Sequence, residues 1–264
     1  MDNHIQEILG KEWTISPAGG FTGEAYIAEN NDKRLFLKRN SSPFLAVLSA
    51  AGFVPKLVWT RRLENGDVLT AQEWVIARSL EPYELSAKGV AQFLYRIHSS
   101  KELLYMLTKL GINPLEPQDL LQTIVGNLTE EFTQSQIIVK GIEYLEENMP
   151  SFDPEDLVVC HSDLNHHNWL LTEANNLYLI DWDEAIIADK AFDLGMFLFT
   201  YVEQNDWEKW LRNYGIKLTE ELLNRMTWYV VAQTIIWIKW YTLRENEKQT
   251  QKMESLLEKI LNFK

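Results

Sequence analysis

Residues 159–183 read VCHSDLNHHNWLLTEANNLYLIDWD, a stretch holding three histidines and four acids between apolar runs. A solvated loop would carry the charge without the apolar runs, and a core strand would not carry the charge. The mixture fits short strands that deliver polar groups to one place. Strand LVVC (157–160) ends at His161, and the following loop holds Asp163 and Asn168. A second strand, LYLI, delivers Asp181 and, beyond Trp182, Asp183. The spacing is H-x-D-x-x-x-x-N, with an aspartate thirteen residues further on. A hairpin joining these two strands is expected to bring Asn168 and Asp181 to one rim.

An amide oxygen and a carboxylate suit Mg²⁺, a hard ion that keeps waters and binds substrate phosphates. Asp163, five residues before Asn168, is placed to face a hydroxyl and accept its proton. One acid for the nucleophile, with an Asn and an Asp for the metal, is the division of labour of phosphoryl transfer. That chemistry also requires a lysine on an early strand, and RLFLK ends in Lys38, suited to α- and β-phosphates. It requires a loop whose backbone can approach the nucleotide, and AGGFTG precedes the lysine with Gly19, Gly20 and Gly23. The glycines alone are a weak signal. The ordered series is a much stronger one.

Outward from this core, the first eighty residues read as an antiparallel sheet with one helix. WTISPA, EAYIAE and RLFLK alternate as strands, and KLVWTRRLENGDVLTAQEWV is two strands about Asn65-Gly66, a strong hairpin signal. SSPFLAVLSAAGF reads as a helix capped by Ser41 or Ser42, with Pro43 in its first turn and Gly52 closing it. After residue 80 the apolar spacing becomes helical, in SAKGVAQFLYRIHSS, DLLQTIVGNL and SQIIVKGIEYLEENM, and again from about 189 onward. The expected division is an N-terminal nucleotide-binding lobe at 1–77 and a C-terminal catalytic and acceptor-binding lobe at 78–264.

Composition narrows the function class. With 264 residues and 46% hydrophobic content, a sizeable core is expected. A net charge of −13 argues against gripping a phosphate backbone, so no direct nucleic-acid partner is expected. No apolar run reaches the length of a membrane span, so membrane insertion is not expected either. MDNHIQEILGKEW lacks the layout of a signal peptide. A lone cysteine, Cys160, fits a reducing cytoplasm and reads as a buried strand residue.

Taken together, the motifs resemble the aminoglycoside phosphotransferase and choline kinase superfamily, whose loop reads H-G-D-x-x-x-x-N and whose metal strand reads I-D-W. RLFLKRNSSP, LVWTRRLENGD, AQEW, HSDLNHHNW and LIDWD look closer still to the CcrZ (YtmP) group of Gram-positive bacteria, kinase-fold cell-cycle regulators that phosphorylate ribose and 2-deoxyribose. The resemblance implies an α+β, protein-kinase-like bilobal fold with a small antiparallel-sheet N-lobe and a mostly helical C-lobe. It implies ATP and Mg²⁺ as cofactors, a pentose acceptor, and cell-division or replication-initiation proteins as partners. By the same resemblance Asp163 is the catalytic base, Asn168 and Asp181 are magnesium ligands, and Lys38 is the phosphate lysine. Glu73, Trp74, Val75 and Ile76 form the hinge that presents backbone groups to adenine.

Two departures stand out. Ser162 replaces the usual glycine, a mild change if its φ is negative. The helix after Lys38 contains no acid to pair with the lysine, so another acid must hold it, or only the nucleotide does.

Other residues divide between structural and functional readings. His161 reads as structural beside the metal aspartate. His166 and His167, with His161 and Asp163, are a poor zinc cluster, because neighbouring residues rarely ligate one ion and no cysteine assists. Asp183 is an outer carboxylate behind the metal, a substrate contact or a solvated turn residue. Asp193 buttresses the catalytic loop or caps a helix. Trp228, Trp237, Trp240 and Tyr241 are core at helical spacing, or an aromatic cage for a quaternary ammonium. Asn165, His166, Asp183 and Gln233 are candidate hydroxyl contacts, which favours a pentose over choline. The alternative functions are a choline or ethanolamine kinase, or a non-catalytic metabolite-sensing module.

Overall fold

The structure is a computed structural model that describes residues 3–19, 24–31, 33–128, 132 and 134–262. The chain forms two compact units, 1–81 with 165–184, and 82–164 with 185–264. The expected boundary at 77/78 falls inside a strand, and the segment 165–184 clusters with the first unit although it was expected in the second.

The first unit opens with helix α1 (Asn3–Leu9) and a five-stranded antiparallel sheet. Its strands are β1 (Thr14–Pro17), β2 (Ala25–Asn30), β3 (Lys33–Arg39), β4 (Leu57–Arg62) and β5 (Val68–Glu73), in the order β1-β2-β3-β5-β4. The period of two sorts their side chains. Leu37, Leu69 and Ala71 bury on one face with Ala28, Leu63 and Ile5 from α1. Lys38, Thr70 and Gln72 alternate with them and therefore take the other face. There Ser41 and Thr70 share a hydroxyl hydrogen bond, and Gln72 donates to the Pro55 carbonyl.

The β4–β5 hairpin closes at Asn65-Gly66 as expected. Leu63 N–H donates to Asp67 O, and Gly66 takes φ +94°. Helix α2 (Phe44–Ala50) follows β3, and Ser42 Oγ accepts from the Phe44 amide. Its end is a Schellman motif: Gly52 N–H donates to Ser49 O and Phe53 N–H to Leu48 O, with Gly52 at φ +75°.

A second, three-stranded sheet completes this unit: β6 (Ala77–Ser79), β8 (Trp169–Thr172) and β9 (Leu177–Leu179), in the order β6-β8-β9. Leu179 N–H donates to Phe53 O and ties β9 to the end of α2.

The second unit holds helices α3 (Lys88–His98), α4 (Lys101–Lys109), α5 (Pro117–Gly126) and α6 (Gln136–Glu147). After them come α7 (Ala191–Tyr201), α8 (Trp207–Tyr214), α9 (Glu220–Thr242) and α10 (Glu247–Leu261). A two-stranded ribbon of β7 (Leu157–Cys160) and β10 (Ile186–Asp189) lies among them. Helix α9 is capped by Thr219, whose side chain accepts from Leu222 N–H. It is buried around much of its circumference because α5, α6, α7 and α10 all pack on it. Gly195 lets α7 approach closely, since a Cβ there would lie 2.7 Å from Met226 O.

The expected hairpin between LVVC and LYLI does not form. LVVC pairs with Ile186–Asp189, and LYL pairs with Trp169–Thr172, two strands that the sequence reading missed. Each missed strand has four residues, too few to show a period, and each lies against a charged loop.

Candidate active site

In the first unit, Lys38 projects from the middle of the sheet at a position paired with Thr70. The β8–β9 hairpin turns at Asn175, whose φ is +60°, and Ile180 N–H donates to Asn168 O across its open end. Asn168 and Asp181 therefore do reach one rim, through this hairpin rather than the expected one. Asp181 takes a left-handed φ of +67°, which turns the chain as it leaves the hairpin. Trp182 points into the core, where its indole N–H donates to Leu179 O and its ring meets Phe44 edge-on. Asp181 and Asp183 flank that anchored ring, and both reach the lysine.

Lys38 Nζ lies 3.0 Å from Asp181 Oδ1 and 2.6 Å from Asp183 Oδ2. The acid missing from α2 is thus supplied by the strand-end motif D-W-D. Burial alone would lower the Lys38 ammonium, but the hydrogen bonds it donates to Asp183 and Asp181 outweigh it and leave the group above its ordinary value. Of the readings open for Asp183, its position makes it a partner of this lysine. The donor set of Asn168 and Asp181 is all oxygen, and with two carboxylates beside one ammonium the cluster keeps a net negative charge. That chemistry fits a hard divalent cation.

At the expected hinge, Glu73 N–H donates to Lys56 O and Trp74 N–H to Arg34 O, while the Glu73 carboxylate lies 3.3 Å from Lys56 Nζ. Val75 and Ile76 follow where strand pairing ceases, and Ile76 is 77% exposed. Gly19 takes φ +86° just after the Ala18–Ala25 backbone bond that brackets the glycine loop. Gly20 and Gly23 lie outside the described residues.

Asn165 is exposed, and its side-chain oxygen accepts from His167 N–H, capping the short turn His166–Asn168. The rings of His166 and His167 lie 3.9 Å apart.

In the second unit, β7 delivers the buried His161, then Ser162 and the half-buried Asp163. Asp193, on the first turn of α7, holds this backbone: its Oδ2 accepts from His161 N–H at 2.8 Å and its Oδ1 from Ser162 N–H at 3.0 Å. Of its two expected roles, Asp193 takes that of buttress. Ser162 adopts φ +69°, so the condition for a mild glycine replacement fails, and a non-glycine residue occupies a left-handed position. Asp163 N–H lies 3.3 Å from His161 Nδ1, which gives His161 its structural role.

Gln233, a candidate hydroxyl contact, belongs to the core instead, and of the two readings open for Trp228 the structure takes the core one. Gln233 is 5% exposed and donates to Phe192 O. Trp228 is fully buried, with its indole N–H on Leu145 O. Trp237, Trp240 and Tyr241 remain half-buried and cluster with ring centroids 5.0–5.8 Å apart. The Arg244 guanidinium sits 3.8 Å over the Trp240 ring. Burial raises the Tyr241 phenol, and the Asp163 carboxylate raises it further, which places this cluster within electrostatic reach of the candidate base.

Sequence reasoning missed His98 and Tyr214. His98 Nε2 lies 3.2 Å from Asp193 Oδ2, and its Nδ1 lies 2.8 Å from Tyr214 Oη. The only short-range signal was His98 closing an apolar helix face, a pattern shared by many core histidines.

Solved structures share this fold. Choline kinase LicA from Streptococcus pneumoniae superposes with a TM-score of 0.70 at 20% identity, over 97% of each chain. The AMP-bound spectinomycin phosphotransferase APH(9)-Ia gives 0.69 at 16% identity, over 99% of this chain and 98% of that one. The GDP complex of aminoglycoside 2′-phosphotransferase-IIIa gives 0.72 at 13% identity, over 98% of this chain and 96% of that one. The antiparallel-sheet first unit and helical second unit are thus those of a protein-kinase-like α+β fold. The profile of the APH phosphotransferase enzyme family matches residues 14–229, and the chain belongs to that family.

Proposed function

We propose that this chain is an ATP- and Mg²⁺-dependent kinase of a small hydroxyl compound. The observation that carries the reading is Lys38 gathered against Asp181 and Asp183, with Asn168 on the same hairpin rim. In this reading Lys38 binds the α- and β-phosphates, and Asn168 and Asp181 hold magnesium. Bound there, the metal would supply positive charge against the phosphates. Gly19 and the hinge at Glu73–Ile76 contact the nucleotide. Asp163 accepts the acceptor's hydroxyl proton as its oxygen bonds to the γ-phosphorus and the bond to the bridging oxygen breaks, releasing ADP.

For the acceptor, ribose or 2-deoxyribose is the favoured reading, following the resemblance to the CcrZ (YtmP) group. Arg244 over Trp240 supports it, because a guanidinium already seated on one ring of the aromatic cluster repels a quaternary ammonium. A sugar needs an apolar wall and hydroxyl partners, and the cluster offers the first. Asn165, His166 and Asp183 are the candidate hydroxyl partners. Asp183 would have to serve both the lysine and the substrate.

Choline or ethanolamine is the second reading, favoured by the aromatic cluster itself. A role in replication and division control, exerted through partner proteins in the cytoplasm, accompanies the first. ATP consumption measured with ribose, deoxyribose, choline, ethanolamine and an aminoglycoside tests the choice. The expected result is stimulation by the pentoses. Greater stimulation by choline reverses it.

A further inference from the structure

We propose that Arg244 is a specificity-determining residue of the acceptor site. Its guanidinium takes the place on the Trp240 ring that a quaternary ammonium would need, and offers its remaining N–H groups to the hydroxyls of an uncharged acceptor. This deepens the kinase reading and rests on Asp163 being the base. The geometry lies wholly within the second unit.

The placement starts from the helix. Trp237, Trp240, Tyr241 and Arg244 stand at i, i+3, i+4 and i+7, so they share one stripe of α9 and of the turn that ends it. Leu243 keeps helical backbone angles, and Arg244 N–H donates to Tyr241 O, which carries the stripe past Thr242. The three rings are half-buried and Arg244 is exposed. Trp237 and Tyr241 lie 28° from parallel, and Trp240 stands across them at 73° and 90°.

Two contacts hold the guanidinium. Its central carbon lies 3.8 Å from the centroid of the Trp240 ring, and its Nη1 donates to Trp240 O at 3.3 Å. Among the described residues, no carboxylate lies within ion-pair distance of it. An ammonium bound on this ring has to displace a tethered cation that is already seated there. One bound beside the ring meets a like charge that no neighbouring acid offsets. An uncharged polyol meets neither cost. A guanidinium carries five N–H donors in a fixed fork, and with one on the Trp240 carbonyl the others can meet hydroxyls.

The stripe lies toward the reacting end of the site. Burial raises the Tyr241 phenol and the Asp163 carboxylate raises it further, so ring and base are within electrostatic reach. Arg244 follows Tyr241 by three residues, on the same side of the helix. The competing role for Arg244 is simple cover, a long side chain laid over an aromatic ring at a helix end. The two roles part on charge, because cover requires only the stem and exclusion requires the cation.

The test uses the full chain and its Arg244→Ala, Arg244→Lys and Trp240→Ala/Arg244→Ala variants. Tetramethylammonium, a cation without hydroxyls, is titrated by calorimetry in the absence of nucleotide, and kcat/KM is measured with ribose and with choline. Arg244→Ala should bind tetramethylammonium about tenfold more tightly than wild type, and the double variant should lose that gain. Arg244→Lys keeps the charge and should stay within about twofold of wild type. KM for ribose should rise about three- to tenfold in Arg244→Ala. The preference for ribose over choline should fall about thirtyfold or more. If the double variant does not fold, the two single variants decide. The proposal is overturned if alanine binds tetramethylammonium no better than wild type, or if lysine gains as much as alanine. It is also overturned if the gain survives the loss of Trp240, or if KM for ribose is unchanged in Arg244→Ala. A wild-type chain inactive on every acceptor would sink the kinase reading, while tetramethylammonium binding, measured without turnover, would still decide whether Arg244 excludes cations.

Discussion

Lys38 Nζ stands closer to Asp183 Oδ2, at 2.6 Å, than to Asp181 Oδ1, at 3.0 Å. In the proposed enzyme Asp181 has a second task, holding magnesium, which leaves Asp183 as the nearer carboxylate on the lysine. Asp183→Asn removes the charge and keeps the shape. It should weaken ATP binding about tenfold, the size of one hydrogen bond to a charged group, with little change in kcat. Calorimetric titration with Mg²⁺-ATP checks this, and unchanged affinity would mean that Asp181 alone suffices to hold Lys38.

Asp163→Asn should behave in the opposite way. Removing the general base lowers kcat by about two to four orders of magnitude. Lys38, Asn168 and Asp181 are untouched, so nucleotide affinity should hold. Steady-state kinetics beside a binding isotherm separate the two effects, and full activity would show that the base is misassigned.

Asn168→Ala and Asp181→Ala should each weaken nucleotide binding about tenfold or more when Mg²⁺ is present, because each removes an oxygen ligand. With EDTA in place of the metal, Asn168→Ala should match the wild type. Equal affinities for wild type and both variants in Mg²⁺ would refute the metal assignment.

Ser162→Gly should stabilise the protein. At φ +69° serine carries a left-handed penalty that glycine lacks, partly offset by glycine's freer unfolded chain. We expect a net gain of about 0.5–1 kcal/mol in urea unfolding. A loss of stability would mean that the serine side chain contributes more than its backbone costs.

A final prediction concerns pH. Burial would raise the Asp156 carboxyl, but its contacts with Lys190 and Arg225 prevail and hold it below the usual carboxylate range. A carboxyl depressed in the folded state contributes stability above its unfolded value, about pH 4. That contribution is lost as pH falls through the lower, folded value. The stability gap between wild type and Asp156→Asn should therefore be full at pH 7 and shrink below about pH 4. Denaturant melts across that range read it, and a gap independent of pH would contradict the assignment.

Much of the framework follows from local pattern. Alternation in RLFLK places Lys38 on the face opposite Leu37, and Gly66 closes the β4–β5 hairpin because its left-handed φ favours glycine. The H-x-D-x-x-x-x-N spacing puts the proposed base and a proposed metal ligand on one loop whichever strands flank it. Strand partners were not legible in this way. LVVC is equally apolar toward either neighbour, and it pairs with Ile186–Asp189 in a ribbon on which α3 and α4 pack. The Lys38–Asp183 pair spans 145 residues and the His98–Asp193 pair 95, and such separations leave no periodicity in a local window. Gln233 and Trp228 show the same limit, since a polar or aromatic residue on a long helix reads alike whether it faces a ligand or a neighbouring carbonyl. Sequence by itself determined most of the longer elements, the faces of the first sheet and the residues gathered in two motifs. Only the tertiary structure decided which charge meets which, because a charge pair depends on distance in space and a sequence pattern records only distance along the chain.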